Sequence, residues 1–421
     1  MPKTGSTNFL QIVLLILAGE SVFILPFVLA RIFRPTFLEV FGLNNFELGA
    51  CFSVYGVVAL LSYLYGGTLA DKYPPQKLLA SALILTALGG LYMATFPSYI
   101  MMRVLFGYWG FTTIFLFWGA MIKATRMWGG KLSQGKAFGF LEGGRGFVAA
   151  SMGAIGVFIF SLFVDSYATQ MSSMERQEGF RYVILFTSAM VATVGVMVFL
   201  AMKSDPTEKE THLQTNSSWN NISKVMKIPS VWLLMVIVLC AYVGYKLTDI
   251  FSLYAKEIML FDEVEAAQVG TFQLYLRPIV CIAIGLLADK TRASLWMIIG
   301  FLVMLVGAVI FSSGVLHPGV VGVFILSLVI AASGTYAVRT LYFAAMQEGK
   351  IPVAVTGTAV GLISVVGYTP DIFVGPIMGY LLDVSPGAQG HQHVFMMLAA
   401  FSFLGLLAAW RFSQLNRLKT V

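Results

Sequence analysis

Charge is what this sequence lacks. Only 11% of its 421 residues are Asp, Glu, Lys or Arg, while 58% are hydrophobic. A soluble domain carries roughly a quarter charged residues, so a water-soluble fold is excluded. Cysteine is scarce too: Cys51, Cys240 and Cys281 all fall in apolar runs. That placement argues against a disulfide framework and predicts reduced thiols. The four histidines, His212, His317, His391 and His393, fall in predicted loops, and their spacing resembles no zinc site. No phosphate-binding glycine loop and no nucleophile–base constellation is written in these residues. Neither an enzyme, a metal centre nor a bound cofactor is expected.

What fills the chain instead is apolar runs of about 20 residues, each long enough to cross a bilayer as a helix. Twelve spans are predicted, at roughly 9–33, 46–69, 78–97, 99–122, 138–164, 181–202, 230–254, 267–288, 294–314, 319–345, 356–382 and 393–412. The first is too long for a signal peptide, holds Glu20 and has no small-residue cleavage site, so it is read as a retained helix. The longest polar stretch, Lys203 to Lys227, divides the chain. The expected organisation is an N-terminal six-helix half (1–202), a cytoplasmic central loop (203–229), a C-terminal six-helix half (230–412) and a cytoplasmic tail (413–421).

Basic residues orient such a chain. With the N-terminus inside, 17 of the 27 Lys and Arg fall in inside loops and tails, and only Arg34, Arg176, Arg181 and Lys256 fall outside. Both termini are therefore expected in the cytoplasm. The net charge of +7 is accounted for by this bias and by contact with anionic lipid, and calls for no nucleic acid. Compact loops suit a bacterial inner-membrane protein.

The chain also repeats itself. Leu69-Ala70-Asp71-Lys72 returns 218 positions later as Leu287-Ala288-Asp289-Lys290. Gly135-Lys-Ala-Phe-Gly139, opening span five, resembles Gly357-Thr-Ala-Val-Gly361, opening span eleven, at an interval of 222. Two landmarks at nearly one interval argue for duplicated halves, a common build for secondary transporters.

These repeated letters carry a family resemblance. Gly67-Thr-Leu-Ala-Asp71-Lys72 and its copy Gly285-Leu-Leu-Ala-Asp289-Lys290 resemble the loop motif of the major facilitator superfamily, and Arg103 with Gly107 resembles its span-four motif. The resemblance implies an all-α membrane protein, twelve transmembrane helices in two pseudo-symmetric six-helix halves, working by alternating access. One bundle suffices for that mechanism, so a monomer is expected. Gly67, Asp71, Lys72, Arg103, Gly107, Gly285, Asp289 and Lys290 then form a gating motif, with carboxylate and cation reaching the end of a neighbouring helix. The plainer reading is a solvated loop that sets topology. Pro74, Pro75 and Gln76 make the motif look like that of organophosphate:phosphate antiporters and their organic-anion relatives. Tyr245-Lys246-Leu-Thr-Asp249 resembles their seventh helix, where a basic residue meets substrate. Gln134-Gly135, followed by Glu142 and Arg145, is similar to their fifth.

Ten charges remain inside the spans: Arg31, Arg103, Arg145, Lys246, Arg277, Arg339, Glu20, Glu142, Asp249 and Asp371. Each costs about 2.5–3.5 kcal/mol at mid-helix, so most must face a wet cavity or one another. Glu142 with Arg145, and Lys246 with Asp249, stand at i,i+3 on one helix face. Such pairs either neutralise themselves or yield one member to substrate or proton. Arg31 and Arg103 lie nearer the outer face and are expected to snorkel. Arg277 precedes Pro278, where a broken helix is expected, and Arg339 is expected to anchor a helix end.

Six cations against four acids favour an anionic solute held by arginine forks. The expected substrate contacts are Arg31, Arg145, Lys246, Arg277 and Tyr245, and the expected coupling carboxylates Glu20, Glu142 and Asp249, with Asp371 behind them. The predicted function is transport of a small organic anion (sugar acid, sugar phosphate or sulfonate), driven by protons or a counter-anion. A carrier of neutral solutes by proton symport, and a membrane sensor that binds without transporting, stay open.

Overall fold

The computed structural model describes residues 6–129, 134–163, 172–202, 219–342, 344–351 and 356–417, and among them every regular element is helical. Twelve helices are long and apolar enough to cross a membrane: α1 (Phe9–Ile32), α2 (Asn45–Tyr63), α3 (Pro75–Met93), α4 (Tyr99–Thr125), α5 (Phe140–Ser161), α6 (Ser173–Ala201), α7 (Pro229–Glu257), α8 (Glu263–Ala288), α9 (Ala293–Ser312), α10 (Pro318–Leu341), α11 (Gly361–Val384) and α12 (Ala388–Arg417). Each overlaps one predicted span.

Local chemistry sets where these helices start. Asn44 and Glu47 close a reciprocal capping box at α2, with bonds of 2.8 and 3.0 Å. Ser172 and Glu175 do the same at α6, and Asp262 with Glu265 at α8. Each box satisfies two orphan backbone donors at a helix N-terminus. Pro75 and Pro229 occupy the first turn of α3 and α7, where a missing N–H costs nothing.

Several expectations give way here. The capping box at Ser172 starts α6 well before position 181, so Arg176 and Arg181 are helical rather than loop residues. Arg34 is fully buried in a short helix, Arg34–Phe41, and donates to Asn45 Oδ1 at 3.0 and 3.2 Å. His391 and His393 lie in α12, with His391 completely buried, because that helix begins at Ala388. His317 does stay in a turn, accepting from the Gly319 N–H, and His212 lies outside the described residues. Pro278 does not break α8: the helix Glu263–Lys290 runs through it. The polar stretch after α6 contains a short helix, Trp219–Met226.

Two membrane helices depart from α geometry. α1 widens to a π turn at Ile24–Val28, which includes Pro26, and α4 at Phe111–Trp118. Such widened turns shift the register of everything beyond them and are frequent at functional sites.

The chain forms two compact units: Met1–Asp205 with Asp249–Pro278 and Gly375–Tyr380, and Pro206–Thr248 with Ile279–Val374 and Leu381–Val421. In the first, α1 packs on α5, α3 on α6 and α2 on α4. In the second, α7 packs on α11 and on α12, and α9 on both α10 and α12. The α1–α5 and α3–α6 pairings thus have counterparts in α7–α11 and α9–α12, as a duplicated chain requires. Within the first unit, Gly49 of α2 and Gly375 approach so closely that a Cβ on Gly49 would collide with the Gly375 carbonyl. Small residues are what permit such crossings in membranes.

Candidate functional site

The first unit holds a ring of four charges. Arg145 Nε lies 3.1 Å from Glu20 Oε2, and Arg145 Nη1 lies 2.6 Å from Glu142 Oε1. Arg277 Nη2 reaches the other oxygen of Glu142 at 2.8 Å, and its Nη1 stands 3.8 Å from Glu20 Oε2. α1, α5 and α8 supply the four groups. The ring is neutral and mostly dry: the side chains of Glu20, Arg145 and Arg277 are 3%, 6% and 2% exposed, while that of Glu142 is 41% exposed. Glycine makes the room. A Cβ on Gly19 would press on Arg145, and one on Gly146 would press on Arg277. The Phe23 ring, 5.4 Å from the Arg145 guanidinium, completes its surroundings and adds a cation–π contact.

A second ion pair lies in the same unit. Arg31 Nε meets Asp249 Oδ1 at 2.5 Å, both side chains 2% exposed. The Arg31 carbonyl also accepts from Ser252 Oγ at 2.8 Å. Arg31 therefore does not snorkel: the π turn upstream places it among buried neighbours. Elsewhere in this unit, Arg176 binds Glu39 and Glu263, and Lys256 binds Glu263 at 2.8 Å. Four segments are tied by that network.

The second unit gathers charge among tyrosines. Lys246 Nζ is 3.3 Å from Asp371 Oδ1, and the Tyr242 hydroxyl is 3.1 Å from both Asp371 oxygens. The Arg339 guanidinium lies 3.6 Å from the Tyr245 ring centre, so it does more than anchor a helix end. Tyr242 meets Tyr368 edge-on, and the Tyr368 and Tyr342 hydroxyls are 3.2 Å apart. Polar heads and aromatic faces together suit a ring-bearing solute.

Local spacing anticipated part of this. The Glu142–Arg145 pair forms, and α5 keeps both on one face. Lys246 and Asp249 have the partners Asp371 and Arg31, which i,i+3 counting does not find. Tyr242 joins the site as well, one turn before Lys246 on the same helix, a spacing that the sequence does show. Asp371, placed behind the other carboxylates by its location in the sequence, is the partner that Lys246 takes.

Of the gating motif, α2's helix extends to Lys72 and α8's to Lys290. The side chains of Gly67, Asp71, Lys72 and Asp289 lie outside the described residues. Beside the motif, Lys123 at the end of α4 donates to the Ala70 carbonyl at 3.0 Å, a cation at a helix C-terminus. Lys290 is exposed, and a Cβ on Gly285 would meet open space. Arg103 is exposed and lies over the Tyr99 ring, and Gly107 packs against Val54.

This geometry can be set beside known proteins. The inner membrane protein YqcE of Escherichia coli is 25% identical over 429 residues, covering 100% of this chain and 97% of that protein. The inner membrane protein YihN of the same organism is 27% identical over 402 residues, covering 94% and 93%. In fold, a bacterial homolog of the human lysosomal transporter Spinster, in an inward-facing and unoccupied conformation, superposes with a TM-score of 0.74 at 16% identity, covering 98% of both chains. The nucleoside transporter NupG superposes with 0.69 at 15% identity, covering 97% and 99%. A family model described as Major Facilitator Superfamily matches residues 12–373. The chain belongs to the Major Facilitator Superfamily.

Proposed function

We propose that this protein is a secondary active transporter that moves a small organic anion by alternating access, with protons or a counter-anion as coupling partner. One observation carries the substrate class. Arg145 and Arg277, both buried, converge on opposite oxygens of one partly exposed carboxylate, at 2.6 and 2.8 Å. Planar guanidinium forks held apart by a carboxylate match the carboxylate or sulfonate of a solute.

The surrounding residues take roles in this reading. Arg31 in the first unit, and Lys246 and Tyr245 in the second, are each assigned to substrate contact, and Glu20, Glu142 and Asp249 to coupling charge to conformation. Asp71 with Lys72, and Asp289 with Lys290, act as cytoplasmic latches. The protein works as a monomer in a bacterial inner membrane, which the two Escherichia coli inner membrane relatives support, with both termini in the cytoplasm, which the bias of basic residues supports.

Ligand-induced thermal stabilisation of the purified protein tests the class. Sugar acids, sulfonates and sugar phosphates would be compared with neutral sugars, nucleosides and amino acids, because a ligand of the folded state raises its melting point by mass action. Anions alone should stabilise. The second reading is a carrier of neutral, ring-bearing solutes, favoured by the tyrosine hydroxyls and faces around Asp371; stabilisation by neutral solutes alone would select it.

A further inference from the structure

Resting on the organic-anion reading, a sharper assignment follows from the unequal burial of the four-charge ring. We infer that Glu142 is an internal stand-in for the substrate's anionic group, holding the Arg145–Arg277 pair until an incoming monoanion takes its place. Of the two acids, only Glu142 has a way out: its side chain is 41% exposed, against 3% for Glu20. The two guanidiniums stay behind, 6% and 2% exposed. Glu20, which touches both, is their permanent counter-charge.

Charge balance then narrows the substrate. With Glu142 displaced, Arg145, Arg277 and Glu20 sum to one positive charge. A carboxylate or sulfonate restores neutrality. A phosphate monoester, carrying about −1.5 to −2 at neutral pH, leaves the buried group negative, and uncompensated buried charge is strongly disfavoured. The site is therefore one for monoanions, with sugar phosphates disfavoured.

The test titrates purified full-length protein, wild type and Glu142→Gln, with gluconate, isethionate, glucose 6-phosphate and glucose, reading melting temperature against concentration. Removing an internal competitor that fills the site nine times in ten lowers the half-saturating concentration about tenfold. Glu142→Gln should show that gain for gluconate or isethionate, with glucose 6-phosphate weaker than either. Should Glu142→Gln fail to purify, Glu142→Asp, whose shorter carboxylate bridges the two arginines less well, should show a gain in the same direction. Wild-type stabilisation by monoanions with no gain in either variant overturns the stand-in role and leaves the anion carrier standing. Tighter binding of glucose 6-phosphate overturns the monoanion assignment. No response to any anion, in wild type or variant, overturns both readings.

Discussion

Arg31 and Asp249 stand 218 positions apart and meet at 2.5 Å, buried. The same interval separates Asp71 from Asp289 in the repeated motif. Arg31 and Asp249 carry opposite charges that neutralise each other.

Breaking that pair should be expensive. Arg31→Ala strands the Asp249 carboxylate at 2% exposure, and stranding a buried partner costs about 3–5 kcal/mol. Thermal unfolding in detergent should show a large loss for Arg31→Ala and for Asp249→Ala. The double variant should recover much of it, a coupling that a double-mutant cycle measures directly. Additive losses would mean the pair contributes little.

The Arg277 fork can be tested without removing its charge. Arg277→Lys keeps the cation but loses the planar pair of donors on Glu142 and Glu20. A lost charged hydrogen bond of about 1.5–3 kcal/mol weakens anion binding about 10- to 100-fold. Half-saturation in the thermal assay should rise by that factor, and the unliganded melting temperature should fall as well, because the same buried donors hold Glu142 and Glu20.

In the second unit, Tyr242→Phe removes only a hydroxyl shared between the two Asp371 oxygens. The expected loss is about 1.5–3 kcal/mol, the range for a hydrogen bond to a charged group. Asp371→Ala should cost more, about 3–5 kcal/mol, because Lys246 is then left buried at 3% exposure. Equal melting temperatures for these two variants would show that the ion pair adds nothing to the hydroxyl bond.

Packing offers a check independent of charge. Gly49→Ala drives a methyl into the Gly375 carbonyl, which as backbone has little freedom to move. Overpacking of this kind costs about 1–3 kcal/mol or more. Gly143→Ala, with open space around it, is the control and should leave the melting temperature nearly unchanged.

Membrane spans, their number, the duplication and the family motifs can be read directly from the letters. Insertion into lipid is decided segment by segment, since each helix must satisfy its own backbone and present about 20 apolar residues. The Glu142–Arg145 pair is legible for the same reason: helical spacing is local. Capping boxes at Asn44 and Ser172 are local too, and they mark where α2 and α6 begin.

Partner choice was not legible. Arg145 joins Glu20 across 125 positions, Arg277 joins Glu142 across 135, and Arg31 joins Asp249 across 218. The cost of a lone charge in lipid says that each must find a partner. Which partner depends on helix crossings set by glycine contacts and π turns, interactions between segments that no single segment contains. Composition and periodicity thus determined a twelve-helix membrane bundle, and the motif letters its family. Tertiary packing alone decided that two arginines share one exposed glutamate, because only the assembled helices bring α1, α5 and α8 to the same point.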